Sequence, residues 1–135
     1  MKRFVILLLS FAVVMLVGCA CTYNDPSFDE IVTAYQEAGY SVWSDVYEKP
    51  HEFGITGYIQ ANHPNGDYIY FTFFETTQMA ESYKNEYYHP VMMGLFLSIY
   101  AQDIYIPKWQ VHGNIVAQYE NPAFYEVFEN LLKEK

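Results

Sequence analysis

Residues 55–74 read ITGYIQANHPNGDYIYFTFF, and their alternation decides the fold. Two β-rich runs, 55–62 and 68–74, are joined across His63-Pro64-Asn65-Gly66-Asp67, a cluster of turn formers. In a strand, successive side chains point to opposite faces. Ile55, Gly57, Ile59, Ala61, Ile69, Phe71 and Phe73 therefore share one face, which reads as core. Thr56, Tyr58, Gln60, Asn62, Tyr68, Tyr70, Thr72 and Phe74 share the other.

Working outward toward the N-terminus, Tyr40–Tyr47 reads as a further strand, with Tyr40, Val42 and Val46 alternating against Ser41, Trp43 and Asp45. Glu48-Lys49-Pro50-His51 breaks it. Before it, Ser27 and Glu30 match the capping box S-x-x-E. Phe28, Ile31, Val32, Tyr35 and Ala38 then fall on one helical face, and Gly39 supplies the stop.

Toward the C-terminus, a helix is expected over about residues 77–88, with Met79, Ala80, Tyr83 and Tyr87 on one face and Pro90 ending it. Residues 91–105 carry no clean period; a loop or short helical piece, then a strand over Leu97–Ile106, is the expectation. Trp109–His112 and Ile115–Tyr119 flank Gly113-Asn114 as a hairpin. Asn121-Pro122 opens a last helix whose buried stripe is Phe124, Val127, Phe128, Leu131 and Leu132. Hairpin links imply an antiparallel sheet, and amphipathic helices must cover its apolar face. The expected fold is α+β: a two-layer sandwich, an antiparallel sheet of about five strands with helices packed on one face.

The first residues are of another kind. Lys2 and Arg3 precede an uncharged run, Phe4–Val17, and Leu16-Val17-Gly18-Cys19 follows at its end. Fourteen residues make a helix of about 21 Å at ~1.5 Å each, too short to span a bilayer core that needs roughly 20 residues. The run fits the apolar region of a secretory signal. Together with the quartet it resembles a bacterial lipoprotein signal, with Leu16, Val17 and Gly18 as the lipobox. The resemblance implies cleavage before Cys19 and a diacylglyceryl group on its sulfur. It covers residues 1–19; the remainder resembles small lipoproteins in general architecture and carries no specific family motif. The implied organisation is a signal peptide over residues 1–18, a lipidated Cys and short tether over 19–24, and a single α+β domain over 25–135. The implied address is the cell membrane, lipid-anchored on the extracytoplasmic face. The five residues after Cys19 reach at most about 17 Å when extended, so the domain rides close to the bilayer.

Composition narrows the partners. Cleavage would remove Lys2 and Arg3, leaving five lysines and no arginine against sixteen acids, two units more negative than the formal −9 of the whole chain. Nucleic-acid binding, which rests on neutralising phosphates with Lys and Arg, is not expected. With Cys19 lipidated, Cys21 has no intramolecular partner, so the domain has no internal disulfide.

The sequence carries no sign of a reaction. No zinc spacing joins His51, His63, His89 and His112. There is no G-x-S-x-G, no S-x-x-K and no Gly-rich phosphate loop. No catalytic residue, metal or cofactor is therefore assigned. The candidate site is the hairpin's second face: Tyr58, Gln60, Asn62, Tyr68, Tyr70 and Thr72. Planar rings among amides and hydroxyls suit a neutral glycan or a flat protein partner. Tyr and Thr also favour strands for their own sake, so this face is either a binding surface or the seat of another element. The expected function is a non-catalytic, membrane-anchored binding module. The alternatives are a wall-polymer hydrolase using paired carboxylates and an immunity- or inhibitor-type lipoprotein.

Overall fold

The computed structural model describes residues 25–98 and 107–134. Helix α1 (Phe28–Glu37) leads to strand β1 (Ser41–Val46) and a short 3-10 turn (Glu52–Gly54). Strands β2 (Ile55–Asn62) and β3 (Tyr68–Phe74) follow, then helix α2 (Thr77–Ser98), strands β4 (Lys108–His112) and β5 (Ile115–Tyr119), and helix α3 (Pro122–Lys133). The sheet has five strands in the order β1-β2-β3-β5-β4, and every neighbouring pair is antiparallel. This is the α+β fold that the hairpin pattern dictates.

The ends of the elements follow their local chemistry. The Ser27 backbone N–H donates to Glu30 Oε2 at 2.7 Å, and the Glu30 N–H donates to Ser27 Oγ at 3.3 Å. These two bonds satisfy donors that a helix start otherwise leaves orphaned. At α3 the Asn121 side chain accepts from the Ala123 N–H at 3.0 Å, with Pro122 in the first turn. The β2–β3 turn closes through His63 N–H to Asp67 O at 2.8 Å. In the β4–β5 turn, Gly113 takes positive φ and Asn114 does not, the pattern of a two-residue hairpin with glycine first.

Helices α1 and α3 pack on one face of the sheet. Ile31 and Tyr35 from α1 and Phe124, Tyr125 and Phe128 from α3 meet Ile59, Ala61, Ile69, Phe71, Phe73, Ile115, Ala117 and Tyr119. Tyr35 is fully buried, and its hydroxyl donates to the Phe124 carbonyl at 2.6 Å. That bond satisfies the one polar atom the ring carries into the core. Helix α2 touches β3, β4 and β5 from the opposite face. Its Ala80 and Tyr83 meet Phe74, Val116, Trp109 and Val111.

Besides α2 lying on the second face of the sheet and not with the other helices on the first, three details differ from the sequence reading. Ile55 is not on the core face: the register shifts between Ile55 and Gly57, so Ile55 opposes Phe74 and joins the α2 cluster. A bulge inserts one residue and reverses the parity that alternation assumes. It sits where chains crowd, since a Cβ on Gly57 would lie 2.7 Å from the Asp45 carbonyl oxygen. Second, Pro90 does not end α2, which continues to Ser98. Proline removes one ladder bond and crowds the preceding turn, but the half before it is anchored on the sheet through Ala80 and Tyr83. Third, Leu97 and Ser98 are helical rather than the start of a strand; the rest of that expected strand lies outside the described residues, as do Leu16, Val17, Gly18 and Cys19. Among the described residues no helix is long and apolar enough to cross a membrane.

Candidate functional site

The second face of the sheet divides into two halves. Over β3, β5 and β4 it carries α2, and Phe74 and Val116 are buried there. Over β1 and β2 the described residues show no helix packed on it to the same extent, although Ile55 at the start of β2 joins the α2 cluster. Pairing aligns one row straight across the sheet: Trp43 opposite Gln60, Gln60 opposite Tyr70, Tyr70 opposite Gln118, and Gln118 opposite Trp109. The row begins in the open with Trp43, 70% exposed, and ends under α2, where Trp109 stacks on Tyr83 at 5.9 Å. The next row runs Asp45, Tyr58, Thr72, Val116, Val111.

The sequence-assigned residues fall on this geometry unevenly. Tyr58 and Tyr70 come together as a stacked pair, centroids 5.7 Å apart and planes 12° from parallel. They are diagonal neighbours on adjacent strands, within the reach that aromatic side chains have across a sheet. Gln60 and Asn62 are joined by an Nε2–H to Oδ1 bond of 2.8 Å, and Asn62 also donates to the Ser41 carbonyl at 3.4 Å. Tyr68 stands at the turn end, 38% exposed. Thr72 is only 8% exposed and supports the face rather than presenting a hydroxyl to solvent.

Three residues that the sequence reading did not assign extend the surface. Tyr47 continues β1 onto the same face and lies 6.3 Å from Tyr58. His51 stacks on Tyr47 at 3.7 Å and 15°. Trp43 belongs to the same set by register. The result is an aromatic strip, His51–Tyr47–Tyr58–Tyr70, bordered by Trp43 and the two amides. Partial burial, then the neighbouring phenols of Tyr47, Tyr58 and Tyr83, push the Tyr70 phenol above its ordinary 10. Asp45 is the charged residue in these two rows, and neither contains a lysine or arginine.

A second concavity opens where the 3-10 turn meets α2. Phe53 has φ 64° and ψ 13°, the left-handed region that a bulky residue rarely occupies. Such a conformation costs on the order of 1–3 kcal/mol and persists only where its surroundings hold it. The hold is visible. His51 N–H donates to the Ile55 carbonyl at 2.8 Å, Gly54 N–H to the His51 carbonyl at 3.0 Å, and Glu75 N–H to the Gly54 carbonyl at 2.9 Å. Gly54 is also left-handed, and a Cβ there would collide with the Met79 thioether. The ring of Phe53 is thereby aimed at α2, 6.1 Å from Tyr83 and 5.3 Å from Tyr87. Two adjoining cavities flank it, of about 680 Å³ and 290 Å³. In the sequence, the one hint was a large apolar residue at the end of a polar loop.

His63 and His112 serve local packing. His63 stacks on Phe124 at 5.3 Å, and His112 Nε2 lies 3.0 Å from Asp25 Oδ1. Among the described residues no group of three His, Cys, Asp or Glu is placed to hold a metal ion. Comparison of the chain with family models, with curated proteins and with solved structures finds no match.

Proposed function

We propose that this protein is a non-catalytic, lipid-anchored binding domain on the extracytoplasmic face of the cell membrane. It holds a neutral glycan or a flat protein partner against the open half of its sheet. The observation that carries the reading is the stacked Tyr58–Tyr70 pair, with the Gln60 amide lying between Tyr70 and exposed Trp43 along one row of the sheet. Flat rings cover the apolar faces of sugar rings or of partner side chains, while amides bond to hydroxyls or backbone at the edges. The absence of cationic side chains from these rows disfavours an anionic ligand. The lipobox and the five-residue tether support the address and place the occupant near the bilayer.

The test is the double variant Tyr58→Ser/Tyr70→Ser on the full chain. Retention on neutral polysaccharide matrices, or cross-linking to a membrane-proximal protein, is expected to fall at least tenfold. The unfolding midpoint should move little, because both rings are only half-buried. Loss of cooperative unfolding in the variant would make this face core and end the proposal. Metabolic labelling with a palmitate analogue checks the anchor: the wild type should be marked and Cys19→Ala unmarked.

A further inference from the structure

The smaller cavity beside Phe53 is lined by His51, Glu52, Phe53, Ile55, Tyr83 and Tyr87, of which the sheet-face reading uses only His51. Three of these, Phe53, Tyr83 and Tyr87, carry benzene rings, and each lies near the other two. Phe53 meets Tyr83 at 62° and Tyr87 at 80°, while Tyr83 and Tyr87 are 4.7 Å apart. Tyr83 and Tyr87 are one helical turn apart and so share a face of α2. Phe53 approaches that face from the 3-10 turn, fixed in its left-handed conformation. All three rings line this one cavity, and an aromatic wall attracts a cation through the electron-rich faces of its rings.

Charge around the cavity has the matching sign. Glu52 lines it, and Glu86 lines the larger adjoining cavity, which shares Phe53 and Tyr83. Both carboxylates bear on the Tyr87 phenol: partial burial first, then Glu86 and Glu52, push it above its ordinary value. No lysine or arginine lines either cavity. A compact metal ion would demand several converging oxygens, which the rings do not offer. A diffuse organic cation, whose charge is spread over methyl or methylene groups, makes apolar contact with rings and gains from the carboxylates together.

We infer that the cavity bounded by Phe53, Tyr83 and Tyr87 is a binding site for an organic ammonium group, with Glu52 and Glu86 at its rim. The site borders the Tyr58–Tyr70 strip at His51, but none of the residues assigned to hold the cation belongs to the strip.

The test is calorimetric titration of the full chain in a non-ionic detergent with choline. A parallel titration uses 3,3-dimethyl-1-butanol, the uncharged carbon isostere, at matched ionic strength. Choline is expected to bind saturably and about tenfold or more tightly than the isostere. Phe53→Gly removes one wall while keeping the residue type that prefers the same backbone conformation. It is expected to weaken choline at least tenfold, with an unchanged circular dichroism spectrum. Glu86→Gln should weaken choline less and leave the isostere unaffected. Equal affinity for the two probes would show a merely apolar pocket and overturn the inference, as would choline binding undiminished in Phe53→Gly or no saturable choline binding at all. If Phe53→Gly fails to fold, Tyr87→Leu makes the same comparison from the helix side, with the same expected loss and the same overturning result.

Discussion

The two faces of the sheet are built from the same residue types and have opposite fates. On the first face, Phe71, Phe73 and Tyr119 are sealed under α1 and α3. On the second, Tyr58 and Tyr70 are half-buried and Trp43 is in the open. Aromatic content therefore does not mark a ring as core or site in this molecule; the position of the covering helix does. Each buried ring contributes about 1.5–3 kcal/mol of hydrophobic stabilisation, whereas the less buried rings gain correspondingly less.

The comparison breaks first at its most buried point. Phe71 is fully buried and lies 5.4 Å from Tyr35 and 5.1 Å from Phe128. Phe71→Ala is expected to lower unfolding stability by about 3–5 kcal/mol, through lost transfer energy and the cavity left behind. Chemical denaturation measures it directly. A loss under about 1 kcal/mol would mean that the sealed face is no more packed than the open one.

A smaller effect tests the polar tip inside that core. Tyr35→Phe keeps the ring and deletes the hydroxyl that donates to the Phe124 carbonyl. The carbonyl is left without that partner, and the expected loss is about 1–2 kcal/mol. The same residue gives the fold an alkaline limit. Burial is the main cause that pushes the Tyr35 phenol well above its ordinary 10. Below that ordinary value both folded and unfolded chains keep it protonated, so it adds no pH dependence. Above it, the unfolded chain ionises while the folded chain does not, and stability falls by up to about 1.4 kcal/mol per pH unit. Denaturation curves between pH 9 and 11 should therefore be shallower in their pH dependence for Tyr35→Phe than for the wild type. Identical slopes would remove Tyr35 from the account.

Much of this architecture was written in local patterns. The Ser27–Glu30 box, the Pro-Asn-Gly-Asp turn and the Asn121-Pro122 cap act within four or five residues, and the structure holds each as read. The Tyr58–Tyr70 pair was legible too, because alternation alone places both on one face. Long-range geometry was not legible. The bulge at Ile55–Gly57 reverses parity without a turn residue to announce it. The first half of α2 packs on Phe74 and Trp109, the latter far away in sequence, and no local signal announces that the helix runs on past Pro90. Phe53 escaped notice because nothing in a phenylalanine signals positive φ; its conformation is imposed by the bonds of His51, Gly54 and Glu75. The open strip was therefore half-visible in the sequence, and the Phe53 cage was not visible at all.

The smallest expected effect gives the sharpest contrast. Trp43 is among the largest side chains of the molecule, and on size alone its loss would rival that of Phe71. It is 70% exposed on an edge strand, so little of its surface leaves water on folding. Trp43→Ala is expected to change stability by no more than about 0.5 kcal/mol, the range of surface substitutions. Binding should respond otherwise. An exposed tryptophan bordering a tyrosine stack is a typical interface anchor, and its truncation there costs about 2 kcal/mol or more. The same variant measured both ways separates the two faces: unchanged unfolding with weakened ligand retention is the signature of a surface kept open for use. Weakened unfolding with unchanged retention would assign Trp43 to the framework and return the open half-face to ordinary sheet surface.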